Sequence, residues 1–300
     1  MIALKRAVPW WARIAAKIVL ARLPIPYSAW KRLRLFEHGD MNLPERAWNG
    51  FLELALTAGI VEMQAGLPRL KSSEPGYSVV EIGPGDALFS AVIARSLGIS
   101  RSWMVDAGAF ATTDVREYTA LLQHLRNRGV EPPFSSEPTN FSDLLDACKC
   151  EYLVEGVKSL AELPPGSVDY CFSNAVLEHI PKDDFPLLAS EIFRVLKSDG
   201  VSLHRVDLKD HLGGKLENLR FPDSTWEGPL FRNSGFYTNR IRLSDMVAMF
   251  EHAGLDCQVC RIARWSALPT PRQRMAASFR DLPDDELLVS DFDILLRRKR

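Results

Sequence analysis

The sequence predicts an α/β protein: a doubly wound, mostly parallel sheet with helices on both faces, preceded by a helical extension. Three observations carry that reading. From residue 78 onward, short apolar runs alternate with amphipathic helical stretches. The helical stretches at 87–98, 114–129 and 183–200 close on Gly98, Gly129 and "KSDG", each delivering the chain to a new apolar run. Gly83 and Gly85 stand directly after the first of these runs, where an open parallel sheet places its ligand loop.

Taken in order, "YSVVEIG" is the first predicted strand and "ALFSAVIARSLG" the first helix. "SWMVDA" is the second strand, followed by a helix over 114–128 and, after a Pro/Ser-rich stretch at 131–140, a short helix near 142–148. "EYLVEG" and "VDYCFSN" are the third and fourth strands, and a helix over 183–197 leads to the fifth, "VSLHRVD". The alternation makes βαβ units. The last third differs, with a long segment at 207–240, a helix at 243–253 ending at Gly254, the strand "DCQVCRIA", a helical piece near 271–280 and a final strand, "DFDILLRR". Upstream, residues 43–65 have helical apolar spacing, and "KSSEPGYS" at 71–78 is a polar, turn-rich boundary. The expected division is therefore a basic helical extension over 1–72 and a sheet domain over 73–300, with a lid or substrate loop at about 207–240.

At 300 residues and 46% hydrophobic the chain has ample material for a buried core, and its net charge of −1 points to no nucleic-acid partner. Residues 1–36 are an exception, with eight Lys/Arg and no acid. In "PWWARIAAKIVLAR" (9–22) the apolar positions 10, 11, 14, 15, 18 and 19 share a helix face. Such a helix either packs on its own domain or lies on an anionic membrane, giving peripheral contact through residues 1–22. No charge-free run exceeds about eight residues, too short for the ~20 of a spanning helix. Neither a signal peptide nor a disulfide framework is evident, so a cytoplasmic location is expected, at most peripheral to the inner membrane surface. Cys257 and Cys260 form a CxxC, but a strand puts them on opposite faces, and no metal site is expected.

The glycine loop excludes two ligands. The nicotinamide fingerprint G-x-G-x-x-G fails at Leu88, and the phosphate-loop Lys-Ser/Thr is absent. Glu81 would also repel a pyrophosphate, whereas it would attract an ammonium or sulfonium. Asp106 ends the second strand about twenty residues beyond the glycines, where a carboxylate accepts ribose hydroxyls; a turn or helix-capping aspartate is the alternative.

The pattern [DE]-x-G-x-G at Glu81–Gly85 resembles motif I of class I S-adenosylmethionine (SAM)-dependent methyltransferases, with Ala87 where a third glycine is usual. "SLAELPPGSVDYCFSNAVLEHI" (159–180) and "EIFRVLKSDG" followed by "VSLHRVD" resemble the same family through its fourth and fifth strands. The resemblance covers roughly residues 72–265. It implies a Rossmann-like seven-stranded sheet whose last strand is antiparallel, with SAM as cofactor. By the same resemblance Glu81, Gly83, Pro84 and Gly85 would surround the methionine end and Asp106 the ribose. Ser159 and Leu160 would lie beside the adenine, and Asn174 and Ala175 beneath the methionine. His179 would stand at the mouth of the active site. No acid occupies Gly156 or Val157, where relatives often hold the adenine amino group.

A hydroxyl acceptor needs a base, for which histidine is suited. His204, Asp207, Asp210 and His211, in and just after the fifth strand, are candidates beside His179, with His211 ranked first, and a His204, Asp207, His211 metal triad is a lesser one. The alternative is that "DHLGG" is a turn capping its own backbone. The 212–240 segment carries Phe221, Trp226, Phe231, Phe236, Tyr237, Arg220, Arg232 and Arg240, which suit a sugar, a ring or an anion, or anchor the loop itself. The expected activity is methyl transfer to an O or N nucleophile of a small molecule or saccharide, such as a membrane-associated glycan precursor. A non-catalytic SAM-binding regulatory or scaffolding protein is the alternative.

Overall fold

A computed structural model describes residues 43–71, 76–132, 134 and 137–299. The proposed membrane-surface helix at 9–22 lies outside these residues. Among the described residues, no helix is long and apolar enough to cross a membrane.

The first described helix, α1 (Pro44–Thr57), starts with proline at its first position, where no amide hydrogen is needed. It is shorter than the 43–65 expected. Gly59, at φ 75°, stops it, and β1 (Val61–Gln64) pairs antiparallel with β2 (Leu67–Leu70). Ala65 and Gly66, both at positive φ, close the hairpin in the sense that matches strand twist. Apolar spacing alone could not separate this hairpin from a continued helix.

The main sheet has seven strands: β3 (Ser78–Ile82), β4 (Arg101–Val105), β5 (Cys150–Leu153), β6 (Val168–Asn174), β7 (Leu196–Asp207), β8 (Leu255–Arg264) and β9 (Val289–Arg298). Their order is β5-β4-β3-β6-β7-β9-β8. The first five are mutually parallel, and β9 runs antiparallel between β7 and β8. The doubly wound sheet and antiparallel last strand expected from the sequence are present.

Strand β3 shows why the centre reads as a continuous apolar run. Val79 belongs to one core and Val80 to the other, and both are fully buried. The first core takes α1, α2 (Phe89–Ser96), α3 (Arg116–Asn127) and α4 (Phe141–Cys148). The opposite core takes α5 (Phe185–Val195) and α8 (Leu243–His252). Edge strand β8 alternates, leaving Cys257 half-buried and Cys260 exposed on the other face; all five thiols are free.

The 207–240 segment is structured. It contains a 3-10 turn (Glu217–Arg220) and two short helices, α6 (Asp223–Trp226) and α7 (Pro229–Arg232). Leu212, Trp226, Phe231, Phe236 and Tyr237 bury one another in a separate apolar cluster. The 271–280 piece divides into a 3-10 turn, Arg272–Arg274, and α9 (Ala277–Arg280). The last short helix, α10 (Asp284–Leu287), precedes β9.

Candidate active site

The ligand loop follows β3. The Gly83 amide donates to Val105 O at 2.8 Å, so the loop leaves the sheet still tied to β4. Gly83 and Gly85 have φ of 76° and 71°, which side chains resist. A Cβ on Gly83 would lie 2.5 Å from Val176 Cγ2, whereas one on Gly85 would meet nothing within 4 Å. Gly83 therefore allows the turn after β6 to pack on the loop, and Gly85 borders open space.

Two carboxylates organise this loop. Asp106 accepts the Gly85 amide at 2.9 Å and the Ala107 amide at 2.7 Å, joining the end of β4 to the glycines. Glu81 accepts the hydroxyl of Ser90 on α2. Burial pushes its carboxyl up to about 7 against the Ser90 hydrogen bond, and the Asp106 charge adds to the rise. A site that presses a carboxylate towards neutrality suits a cationic ligand, which would restore the charge.

At the end of β4 the Gly156 amide donates to Asp106 O at 2.7 Å, bringing the 156–162 turn against the loop. Ser159 and Leu160 are fully buried in that turn. The Glu155 amide donates to Ser159 Oγ at 3.0 Å, so this hydroxyl shapes the turn.

Strand β6 ends at Asn174, and Ala175 adopts φ 56°, unusual for a residue with a side chain. Its amide donates to Arg205 O at 2.9 Å. Ala175 lines an open cavity of about 390 Å³ with Glu53, Arg205, Asp207, Lys209, Arg261 and Asp291. Arg205 bridges Glu53 of α1 and Asp293 of β9. Arg261 pairs with Asp291 and Asp293, so the cavity has polar walls of alternating charge.

The next turn carries "LEHI". Asn239 holds it from three sides: its amide donates to Glu178 O at 2.7 Å, and its Nδ2 to Leu177 O and Ile180 O at 2.7 and 2.8 Å. His179 Nδ1 lies 2.9 Å from Tyr237 O. A carbonyl only accepts, so Nδ1 carries the hydrogen, and in the neutral ring the lone pair is on Nε2. His211 meets His179 edge-to-face, ring centroids 4.6 Å apart. It stands on a turn built by buried Asp210, which accepts the amides of Leu212, Gly213 and Glu217.

Glu178 completes this group. It is 1% exposed, and neither carboxylate oxygen makes a hydrogen bond of ordinary geometry within the described residues. Burial pushes it up to about 8; the Asp207 charge adds to this, while backbone amides and Lys209 oppose it. One ligand atom each from Glu178, His179 and His211 lie within 4.8 Å of one another.

The structure thus brings His179 and His211 together, while two other candidates are engaged by other partners. Asp207 is locked to Lys209, accepting its amide at 2.8 Å and its Nζ at 2.9 Å. His204 is fully buried between Ser173 and Ser202 and stacked on Phe250; burial depresses it to about 3, so it is a neutral core group. The expected grouping of His204 with Asp207 and His211 is not the one the side chains make. Sequence reasoning passed over Glu178 although it stands between two quoted residues, because a carboxylate in a turn ordinarily faces water. Asn239 gave no local signal, whereas Asp210 caps its own backbone as the turn reading of "DHLGG" expects.

The profile of the methyltransferase domain matches residues 57–258. The chain belongs to this methyltransferase family. SAM is its cofactor, and its chemistry is SAM-dependent methylation. No curated protein sequence matches the methyltransferase. Among solved structures it is similar to the YcgJ protein of Bacillus subtilis, with 18% identity, 83% of this chain and 99% of the other covered, and a TM-score of 0.42. A SAM-dependent methyltransferase from Methanosarcina mazei gives 15% identity, 76% and 95% coverage and a TM-score of 0.43. Phosphoethanolamine N-methyltransferase 2 from Haemonchus contortus gives 16%, 85%, 53% and 0.42; the methyltransferase spans about half of that chain.

The residues present fit the cofactor on two structural grounds. Gly85 opens onto space that a Cβ would not contact, and Glu81 beside Asp106 favours a cation.

Proposed function

We propose that the methyltransferase methylates an oxygen or nitrogen nucleophile of a polar small molecule or saccharide. The observation that carries this reading is the open cavity against Ala175, whose size suits a small acceptor and most of whose lining residues are charged. SAM, when bound, would supply the methyl group as a sulfonium substituent and leave as the neutral thioether S-adenosylhomocysteine. Glu81 and the 83–85 loop hold the methionine end, with Pro84 fixing the backbone between the glycines. Asp106 takes the ribose hydroxyls with lone pairs beyond those that receive Gly85 and Ala107. Asn174 and Ala175 form the floor beneath the transferring group, and the backbone of Ser159 and Leu160 flanks the adenine.

The acceptor's proton leaves at the Glu178–His179–His211 group. Tyr237 fixes the His179 ring so that Nε2 presents its lone pair, and Asp210 fixes the turn carrying His211. Asp207, tied to Lys209, orients polar groups of the acceptor rather than taking the proton. Residues 212–240 serve as a fixed wall of the acceptor site, their aromatics supporting the wall from inside. Residues 1–22 bring the enzyme to an anionic membrane surface where a lipid-linked acceptor would be presented.

Calorimetry with SAM and S-adenosylhomocysteine tests the cofactor site. Wild type binds both, and Gly85→Arg, which drives a side chain into the open space, binds neither. Absence of binding by wild type rejects the assignment. Metabolite and glycan profiling of a deletion strain identifies the acceptor, and flotation with anionic vesicles, with and without residues 1–22, tests the membrane contact.

A further inference from the structure

We propose that Glu178, His179 and His211 form a binding site for a divalent first-row transition-metal ion, of the zinc or iron(II) class, facing the acceptor. The inference rests on the proposed function only for what the ion's open positions would hold.

Three observations support the ion. The first is convergence: one donor atom from each residue falls within 4.8 Å of the others, a span an ion bridges with bonds of about 2.0–2.2 Å after small side-chain adjustments. The second is Glu178. A carboxyl group buried to 1% exposure, whose oxygens make no hydrogen bond of ordinary geometry within the described residues, is costly, and metal coordination is one of the few ways a protein satisfies it. Lys209 is the nearby cation, but its Nζ is already held by Asp207 and Asp291 at 2.9 and 3.2 Å. The third is the outer support. His179 donates from Nδ1 to a backbone carbonyl, which is how ligating histidines are oriented, and the tautomer so fixed directs Nε2 as the donor atom. Asp210 fixes the turn that presents His211 in the same way that a preorganised site requires.

The donor set selects the metal. Two imidazoles and one carboxylate suit zinc, iron(II), cobalt or manganese, whereas calcium and magnesium prefer all-oxygen cages. Three protein ligands leave at least one position open, as in catalytic rather than structural sites. His179 is half-buried and His211 is exposed, so this position opens outward. With the ion bound, the histidines act as ligands rather than as proton acceptors: an acceptor hydroxyl at the open position loses its proton to solvent more readily, because the ion stabilises the alkoxide.

The test uses the full chain stripped with a chelator, with Zn²⁺ titrated against a chromophoric competitor and Co²⁺ read by its visible absorption. The expected result is one equivalent bound, with cobalt bands of four- or five-coordinate geometry. His211→Ala, on a partly exposed turn, and Glu178→Gln should each weaken binding by more than the roughly 10–100-fold that loss of an outer partner costs. Cys260→Ser, removing the exposed thiol, should bind the ion unchanged. Absence of stoichiometric binding in wild type, or binding unaltered in both His211→Ala and His179→Ala, overturns the proposal. SAM calorimetry on the same metal-free samples reports folding and the cofactor site separately. Intact SAM binding without ion binding rejects the metal alone, and the reverse rejects the cofactor site alone.

Discussion

The two halves of the carboxyl edge of the sheet are built on different principles. On the β3–β4 side, the site is backbone: two glycines at positive φ, amides received by Asp106, and one carboxylate beneath. On the β6–β7 side it is side chain: two histidines, a buried glutamate and a cavity wall of paired charges, held by residues from about 30 to 60 positions away in sequence. A backbone site tolerates few substitutions but needs little around it. A side-chain site depends on distant supports, and any of several can be removed to loosen it.

The largest expected effect lies on the side-chain half. His211→Ala should lower the methylation rate by about 10²–10⁴-fold, the usual contribution of a group that handles the proton. Single-turnover rates with saturating SAM and the acceptor from profiling check this, with SAM affinity unchanged. An equal loss of SAM binding would place His211 on the cofactor side and erase the contrast.

Next is Gly83→Ala on the backbone half. The new Cβ meets Val176 at 2.5 and 2.7 Å while forcing alanine to φ 76°. Overpacking and the left-handed backbone together should cost about 3 kcal/mol. Urea denaturation measures it, and SAM binding should fall with it. Gly85→Ala is the internal control: it carries only the backbone strain, since its Cβ meets nothing within 4 Å.

Asn239→Ala comes third. It strips the carbonyls of Leu177 and Ile180 of their side-chain donor in a buried turn. The expected loss is about 2 kcal/mol of stability, with a fall in methylation that exceeds the fall in SAM affinity. Equal losses in both would mean that the support serves the whole edge rather than one half.

This contrast also explains what the sequence made legible. The alternation of strands and helices, Gly83, Gly85 and Asp106 announce themselves because local pattern and spacing mark them, and the antiparallel last strand follows from the family resemblance. Glu178 and Asn239 do not, since their roles exist only once the 212–240 segment has folded over "LEHI". The same folding decides between the two readings of Trp226 and Phe236: they are fully buried supports that anchor the loop, not a platform for a ring. The hairpin at 61–70 was hidden for another reason: its apolar residues satisfy helical spacing, and only Gly59 and the Ala65–Gly66 pair mark the change.

The smallest expected effect returns to the backbone half. Ligand-free Glu81 stands at about 7, raised from an ordinary 4.5 chiefly by burial. A bound sulfonium or ammonium favours the ionised form and lowers that value, so binding displaces a proton wherever the free protein still holds one. Affinity for SAM should therefore rise as pH rises, by about tenfold between pH 6 and 8, and flatten above the free-state value. The same shift acts in the opposite sense on the ligand-free fold. Glu81 holds its proton in the folded state up to about 7 but would lose it near 4.5 when unfolded, so its contribution to stability is present at acid pH and disappears as pH rises through 7. Calorimetry in buffers of different ionisation enthalpy counts the displaced proton directly. Glu81→Gln should bind SAM more weakly with no pH dependence from this group, and a wild-type affinity that is flat from pH 6 to 8 would remove Glu81 from contact with the cationic end of the cofactor.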